Sequence, residues 1–390
     1  MLTRPKETDK IGAIPGTRMA AKILVAFGTR PELIKLAPVI QELKRYPGEF
    51  NTFLVATAQH RGLLDQMLKL FGITPDIDLN LMQPNQSLAR LTSRVMLRVS
   101  HLLNESQPDL VMVQGDTTTA MVVALASFYL RIPVAHVEAG LRTYDPYHPF
   151  PEEINRRLIS AVSSLHYAPT SRAVENLRKE GIPSRSIFLT GNTVVDALLY
   201  MKPKIVSRPL AVKLRPESRL VLVTAHRRES FGEPLSRICQ ALLQLQKKFA
   251  DIEIIYPVHP NPNVRQTVDA YLSKKPRIHL IRPLPYLDLL ALMAKAYIIL
   301  TDSGGIQEEA PSFHKPVLVL REVTERPEGI EAGVARLVGT ETNKIVVAAS
   351  RLLRDSEAYQ RMTIAKNPYG DGLASKRICR HLRRYFSPVS

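Results

Sequence analysis

Residues 22–40 read KILVAFGTRPELIKLAPVI, and this stretch predicts the fold. Residues 22–27 form a short apolar run typical of a buried strand, and Pro31 then opens a helix that extends to about Lys44. Short apolar runs and longer amphipathic stretches continue to alternate along the chain. Strands and helices that alternate in this way form a parallel sheet with both faces covered.

The alternation is interrupted once, at residues 203–216, where three prolines and a basic bias predict a linker or surface loop. It resumes at residue 220 and continues to a last predicted helix at 373–385. Domains usually contain about 100–200 residues, so a chain of 390 residues is long enough for two. No sequence repeat relates the two halves, and their predicted similarity is one of architecture.

The composition excludes several classes of protein. A formal net charge of +17 is typical of proteins that bind nucleic acid, an acidic membrane surface or an acidic substrate. The sequence contains no recognisable nucleic-acid-binding motif. The basic residues are scattered, so two solvated surfaces are favoured over a polyanion site. No apolar run reaches the roughly 18 residues of a membrane span. We therefore predict no nucleic-acid partner and no membrane insertion.

Two cysteines, Cys239 and Cys379, exclude a disulfide framework and a CxxC site, which fits a reducing cytoplasm. The first eighteen residues carry charges of both signs and lack the apolar core of a secretory signal. We predict that residues 1–19 are a disordered leader and that the protein is cytoplasmic.

Polar residues follow seven predicted strands, and ligands of open parallel sheets bind at that edge. In the first half they are Gly28 to Glu32, Gln59 to Arg61, Gly115 to Thr119 and Glu138 to Arg142. In the second half they are His226 to Ser230, His259 and Asp302 to Gly305. A core has no reason to collect polar groups at carboxyl ends alone, so this edge is predicted to line a cleft.

Each of these residues also has a structural interpretation. Asp116, Asp302 and Ser303 are all suited to cap a following helix. Glu138 is spaced to pair with Arg142 one helical turn later. A single histidine such as His226 or His259 is more often structural than catalytic. The concentration at one edge favours a functional site.

The sequence Ser303-Gly304-Gly305 before a helix predicts an anion site, since two glycines allow close approach to backbone N–H groups. Arg326 and His226 are candidate further donors, and Glu309 is spaced to accept bonds from a ribose diol. The chain contains no GxGxxG, GxxxxGK[ST] or HExxH motif and no aspartate-rich metal loop. A nicotinamide site and a P-loop are therefore unsupported, and no metal site is predicted.

Nine ordered segments resemble the non-hydrolysing UDP-N-acetylglucosamine 2-epimerases. They are FGTRPELIKLAPVI (27–40), TAQHRGLLDQML (57–68), QGDTTTA (114–120), HVEAGLRTYDPYHPFPEEINR (136–156), GNTVVDAL (191–198), VTAHRRESFGEP (223–234), YPVHPNPNVR (256–265), LTDSGGIQEEAPSFHKPVLVLREVTERPEGIEAG (300–333) and NPYGDG (367–372). The resemblance covers the chain from about residue 22 to the last helix.

This resemblance implies two Rossmann-like domains of the GT-B type with a cleft between them. The first would comprise residues 20–190 plus 372–390, and the second residues 191–371. The implied activity is cofactor-free, reversible conversion of UDP-N-acetylglucosamine to UDP-N-acetylmannosamine through elimination and re-addition of UDP, with a 2-acetamidoglucal intermediate. The product would supply cell-surface polysaccharide, and the enzyme would be a homodimer.

The resemblance also implies roles for individual residues. Asp116, Glu138 and Glu152 would be the acid and base carboxylates, in an order that the sequence leaves open, and His226 would be an essential histidine near the diphosphate. The substrate-binding residues would be Arg30, Lys35, Ser303, Gly304, Gly305, Glu309 and Arg326.

Family members from bacteria are activated by a second UDP-N-acetylglucosamine. The residues that match this region are Gln59, His60, Arg61 and His259, although Gly62 and Asn85 replace longer polar side chains. Leu284 and Leu289 stand where relatives often carry Gln and an aromatic ring near uracil. A different residue would then stack on the base.

Four alternatives remain at this point: a hydrolysing epimerase, an epimerase for a diacetamido UDP-sugar, a GT-B glycosyltransferase, and a catalytically silent nucleotide-sugar sensor or assembly partner. The presence of all three carboxylates and His226 favours the epimerase over the sensor, because binding alone does not require them.

Overall fold

The structure is a computed structural model of the chain and describes residues 20–57, 61–81, 86–206, 208–210 and 212–387. The leader predicted at residues 1–19 lies outside the described residues. The first half forms a seven-stranded parallel sheet in the order β3-β2-β1-β4-β5-β6-β7. Its strands are β1 (Ala21–Phe27), β2 (Phe50–Ala56), β3 (Ile77–Asp78), β4 (Leu110–Gln114), β5 (Val134–Val137), β6 (Leu165–Ala168) and β7 (Ile187–Leu189).

The second half forms a six-stranded parallel sheet in the order β10-β9-β8-β11-β12-β13. Its strands are β8 (Arg219–Thr224), β9 (Ile252–Pro257), β10 (Ile278–Ile281), β11 (Ile298–Thr301), β12 (Val317–Val319) and β13 (Ala335–Leu337). Six strands of the first sheet repeat the same order, which is that of doubly wound Rossmann sheets. The predicted α/β fold of two Rossmann-like domains in a GT-B arrangement is confirmed.

Helices cover both faces of each sheet. The first sheet is flanked by α1 (Arg30–Leu43), α2 (Arg61–Phe71), α3 (Leu88–Ser106), α4 (Thr118–Tyr129), α5 (Glu152–Val162) and α6 (Ser171–Lys179). The second half adds α8 (Glu233–Lys248), α9 (Pro262–Leu272), α10 (Tyr286–Lys295), α11 (Gly304–Glu309), α12 (Pro327–Glu331), α13 (Thr342–Arg354) and α14 (Ser356–Ile364). None of the helices in the described ranges is long and apolar enough to cross a membrane.

Two further helices, α7 (Thr193–Val206) and α15 (Ala374–Tyr385), hold the domains together. Helix α7 packs on α1 and α15 in the first domain and on α10 and α11 in the second. Helix α15 brings the end of the chain back to the first domain. Helix α7 contacts both domains and so does not by itself mark where one ends. We therefore propose the domain boundaries at 190/191 and 371/372.

The prediction of a linker or surface loop over residues 203–216 is wrong for its first residues, which belong to α7. Pro203 lies inside α7, in its last turn. A proline there removes only one backbone hydrogen bond near the helix end, so the helix continues for three more residues. Beyond the helix, Leu210 and Leu214 pack against the hydrophobic core rather than forming a free loop.

The β1–α1 turn fixes the position of the first domain's ligand edge. Thr29 caps α1, and its side chain accepts a bond from the Glu32 N–H while the Glu32 carboxylate accepts from the N–H groups of Gly28 (2.9 Å) and Thr29 (2.6 Å). The other Glu32 oxygen accepts from the Thr117 hydroxyl at 2.7 Å. One buried carboxylate therefore joins the starts of α1 and α4, which follow the neighbouring strands β1 and β4.

Asp196 of α7 caps the start of α15. Its carboxylate accepts bonds from the N–H groups of Ala374 (3.2 Å) and Ser375 (2.8 Å) and from the Ser375 hydroxyl (2.5 Å). We expect Asp196→Ala to lower the free energy of unfolding by about 1–2 kcal/mol, the usual loss for a removed helix cap. Urea denaturation followed by circular dichroism measures this loss. Asp196→Asn retains an acceptor oxygen and should lose less, and equal losses in both variants would contradict the capping role.

Candidate active site

The carboxyl ends of the two sheets face each other across a cleft of about 840 Å³. It contains most of the residues predicted for the site: Arg30, Lys35, Asp116, Glu138, Glu152, His226, His259, Ser303, Gly305, Glu309 and Arg326. Gly304 is buried between Ser303 and Gly305. Gln59 and His60 lie outside the described residues, and Arg61 is the first residue of α2.

Asp116 follows β4 and points toward α5, where its carboxylate accepts a bond from the Arg156 guanidinium. The side-chain amide of Asn155 donates to the Asp116 carbonyl oxygen at 2.9 Å. The alternative that Asp116 caps α4 is wrong, because Thr117 is the N-cap and accepts from the Ala120 N–H. The Asp116 carboxylate is thus held by α5, with about a quarter of its side chain exposed to the cleft.

Glu138 follows β5 in the left-handed region, with φ at +68°. This conformation is strained for a residue with a Cβ, and such residues cluster at functional sites. The buried carboxylate accepts a bond from Lys35 Nζ. The alternative pairing with Arg142 is wrong, because residues 138–140 form a turn rather than a helix and Arg142 binds Glu180 at 2.7 Å.

Burial raises the pKa of Glu138. The positive charges of Lys35 and Arg326 oppose this rise, and the negative charge of Glu308 adds to it. Glu152 begins α5, and burial followed by the nearby charge of Asp116 raises its pKa. Both carboxyls therefore hold a proton more readily than in water. Carboxyl groups with raised pKa values suit acid–base chemistry near neutral pH.

The adjacent Glu153 has a different role. It is fully buried and accepts bonds from the N–H groups of Thr143 (3.0 Å) and Tyr144 (3.1 Å) and from Arg156. It therefore shapes the loop before α5, and Glu152 alone of the pair faces the cleft.

His226 follows β8 and is supported by Asp302, which sequence analysis placed at the cleft edge or as a helix cap. Asp302 is fully buried and accepts bonds from the N–H groups of His226 (2.7 Å) and Arg227 (2.8 Å). It follows β11 and binds the backbone of the turn after β8, so the interpretation of Asp302 as a cap of α11 is wrong. Ser303 occupies the N-cap position but makes no side-chain cap bond.

The rings of His226 and His259 stack with their centroids 5.4 Å apart and their planes at 10°. Burial lowers the pKa of His226, Asp302 opposes this effect, and His259, Arg227 and Arg30 add to it. The imidazole is therefore neutral at neutral pH, where one ring nitrogen donates and the other accepts.

Two guanidinium groups surround the start of α11. A Cβ built on Gly304 would lie 3.6 Å from Arg227 Nη2 and 3.8 Å from Arg326 Nη2. The helix has six residues, so its dipole alone is a weak anion site. The two arginines add the positive charge that an anion such as diphosphate requires.

Glu308 was missed by sequence analysis. It is buried beside two of the predicted cations: its Oε1 accepts from Arg326 Nε at 2.5 Å, and its Oε2 lies 2.9 Å from Lys35 Nζ. Burial would raise its pKa, but Lys35 and Arg326 lower that pKa to about 2. The available signal was its position four residues after Gly304, one turn along the same helix.

Glu309 is also buried, and its carboxylate accepts a bond from the Tyr286 hydroxyl at 3.1 Å. The cleft beside it contains Leu284 and Leu289, the two departures from the family pattern. Among the described residues, no group of three or more His, Cys, Asp or Glu side chains is arranged to hold a metal ion.

Comparison with known proteins gives consistent similarities. A family model described as UDP-N-acetylglucosamine 2-epimerase matches residues 41–383. A probable UDP-N-acetylglucosamine 2-epimerase of Ralstonia solanacearum is 50% identical over 374 residues, covering 94% of this chain and 100% of the relative. The UDP-N-acetylglucosamine 2-epimerase of Escherichia coli K12 is 50% identical over 373 residues, covering 93% and 98%.

The crystal structure of the Neisseria meningitidis UDP-GlcNAc 2-epimerase bound to UDP-GlcNAc has a similar fold. It superimposes with a TM-score of 0.86 at 47% identity, and the match covers 93% of this chain and 100% of that chain.

The titration of Glu309 gives a testable pH dependence. Burial raises its pKa from 4.5 to about 7; Tyr286, Arg30 and Lys35 lower it and Glu308 raises it. The folded state therefore keeps a proton that the unfolded chain has released, and the resulting stabilisation is lost as pH rises from about 5 through 7. We expect Glu309→Gln to gain up to roughly 3 kcal/mol of stability over wild type across this range.

Urea denaturation at several pH values measures this difference. Glu357→Gln is a matched control, since the Glu357 side chain is exposed and its substitution should leave the pH profile unchanged. A constant difference between Glu309→Gln and wild type from pH 5 to 8 would show that Glu309 does not titrate there.

Proposed function

Because this chain belongs to the UDP-N-acetylglucosamine 2-epimerase family, we propose that it interconverts UDP-N-acetylglucosamine and UDP-N-acetylmannosamine. One observation carries the proposal: carboxylates of the first domain face, across one cleft, a positively charged site of the second domain that is suited to bind an anion. Removal of a proton from a carbon needs a positioned base, and departure of a diphosphate needs positive charge. The cleft contains both kinds of group.

The reaction proceeds by elimination and re-addition. A carboxylate takes the proton from C2 of the sugar, the C2–H electron pair forms the C1=C2 double bond, and the C1–O bond breaks with its electrons leaving on UDP. The 2-acetamidoglucal then receives a proton on the opposite face of C2, while the UDP oxygen re-forms the bond to C1. No electrons are gained or lost overall, so the chemistry requires no cofactor.

Asp116, Glu138 and Glu152 are the candidate bases and acids, because they face the cleft from three different chain segments. The raised pKa values of Glu138 and Glu152 suit a group that must also donate a proton. We assign the acid–base function to these three carboxyls as a set.

Residues of the second domain bind the nucleotide. Arg326, Ser303 and Gly305 hold the diphosphate, with Gly304 allowing close approach and Arg30 and Lys35 adding positive charge from α1. Neutral His226 lies near the leaving oxygen, where it donates a hydrogen bond. Glu309 accepts from the ribose diol. A doubly negative substrate is thereby drawn toward the second domain while its sugar faces the first.

Three further features of the family are proposed for this chain. A second UDP-N-acetylglucosamine acts as an activator beside the first, and the stacked His259 is the described residue that would contact it. The protein forms a homodimer, and the exposed Leu97, Phe128 and Tyr129 on the packed helices α3 and α4 offer apolar surface for a second copy. The product supplies cell-surface polysaccharide.

The C2 proton gives the decisive measurement. When UDP-N-acetylglucosamine is equilibrated with the protein in D₂O, deuterium should appear at C2 without any added acceptor. Asp116→Asn should reduce this exchange about 10²–10⁴-fold, the usual effect of removing a positioned acid or base. The control Asp269→Asn changes an exposed carboxylate on α9 and should exchange at the wild-type rate.

Nucleotide sugar recovered without C2 exchange sinks the epimerase proposal, and UDP binding in calorimetry without turnover would then favour a sensor. Turnover that requires an acceptor would favour a glycosyltransferase. A near-normal rate in Asp116→Asn would remove this residue from the mechanism.

The glycine at the anion site gives a second prediction. The Cβ of Gly304→Ala would be in ordinary contact with Arg227 and Arg326, so the fold should be unaffected. The methyl group would occupy space between the helix start and both guanidinium groups. Loss of one charge-assisted hydrogen bond should raise the Kd for UDP about 10- to 100-fold.

Isothermal titration calorimetry measures this Kd, and the thermal midpoint reports the fold. Gly48→Ala is the matched control, because a Cβ at Gly48 meets nothing within 4 Å. Unchanged UDP affinity in Gly304→Ala would exclude close approach of the diphosphate to this backbone.

A further inference from the structure

Four buried side chains of alternating charge cross from one domain to the other in the order Glu138, Lys35, Glu308, Arg326. Lys35 Nζ contacts Glu138 on its own side and lies 2.9 Å from Glu308 Oε2 on the other. Glu308 in turn accepts from Arg326 Nε at 2.5 Å. The side chains are between 1% and 15% exposed, so water screens these charges little.

Glu308 is the member of this row that touches both cations. Removing it would leave Lys35 with Glu138 alone and would release the Nε side of Arg326. Its bond to Nε also orients the guanidinium: Nη1 donates to the Glu325 carbonyl at 3.3 Å, and Nη2 faces the start of α11, 3.8 Å from the Cβ position of Gly304. The arginine therefore presents its remaining donor to the anion site.

We propose that Glu308 is a positioning residue that draws Lys35 across the cleft and aims Arg326 at the diphosphate, so that domain closure and assembly of the anion site occur together. The catalytic part of this inference rests on the proposed function, whereas the contact across the cleft does not. Glu308 touches no reacting atom and acts through the two cations.

The proposal has a consequence for Glu138. Lys35 from α1 and Arg326 before α12 face both Glu138 and Glu308, and Glu309 of α11 and the buried Tyr369 hydroxyl also interact with Glu308. The negative charge of Glu308 disfavours ionisation of Glu138 both directly and by sharing Lys35. Loss of that charge should move the titration of Glu138 to lower pH, whether Glu138 acts as base or as acid.

The first arm of the test is a double-variant cycle that needs no activity. Glu308→Gln and Lys35→Met should each lower the thermal midpoint, and the double variant should lose clearly less than the two shifts added together, because both changes remove the same contact. Glu325→Gln with Lys35→Met is the matched control. Glu325 pairs with Arg321 and Arg227 near the same site rather than with Lys35, so these two shifts should add.

The second arm is kinetic and uses C2 exchange. Glu308→Gln should reduce kcat about 10- to 100-fold, the scale expected when catalytic groups are misplaced by about 1 Å. In the kcat–pH profile, one limb reflects ionisation of the carboxyl set. Glu308→Gln should also shift this limb to lower pH. Glu308→Asp keeps the charge and should retain the wild-type limb, as should Glu325→Gln. A purely structural role would lower the rate without moving the limb.

Additive thermal shifts in the first arm, or an unmoved limb in Glu308→Gln, overturn the proposal. A wild-type protein without C2 exchange overturns the proposed function instead, and the thermal cycle still decides whether Glu308 and Lys35 interact. If Glu308→Gln does not fold, Glu308→Asp replaces it in the cycle, where a shorter side chain weakens the same contact.

Discussion

Ionised groups are costly to bury, and the cleft of this protein buries several of them in direct contact with each other. Lys35 and Arg326 stay charged because they form ion pairs with Glu138 and Glu308. The same pairs offset the cost of burying the two carboxylates. Each domain supplies one carboxylate–cation pair, and the contact of Lys35 Nζ with Glu308 Oε2 at 2.9 Å joins the two pairs across the cleft. The relative position of the two sheets thus depends on an electrostatic match between side chains that are far apart in sequence.

The fold makes this match possible by placing several of the cleft's polar groups directly after strands. Asp116 and Glu138 follow neighbouring strands, β4 and β5, and His226 and Asp302 follow the paired strands β8 and β11. Buried carboxylates such as Glu32 and Asp302 then fix the turns through backbone N–H groups. The reacting groups are consequently held by the rigid ends of strands, with little freedom left to their loops.

Local sequence predicted the two sheets, their parallel strands and the residues that line the cleft, since these follow from apolar runs and from what comes after each strand. It did not predict β3 and β13, because each of these short strands contains a charged residue, Asp78 or Arg336, that interrupts the apolar run. It took Pro203 as a break where α7 continues. The pairing of Glu308 with Lys35 was inaccessible because it joins residues 273 positions apart whose proximity is set by packing of the two domains.

Under the proposed domain boundaries the chain passes between the domains at two points, and the segments at these points are in contact. The Asn192 N–H donates to the Tyr369 carbonyl at 2.7 Å, and a Cβ on Gly191 would lie 3.6 Å from the Cα of Gly370. Both glycines have positive φ, at +90° and +142°. The two segments are thus joined side by side by a backbone hydrogen bond and by close contact of their glycines. Any rotation of one domain against the other would have to bend both segments together.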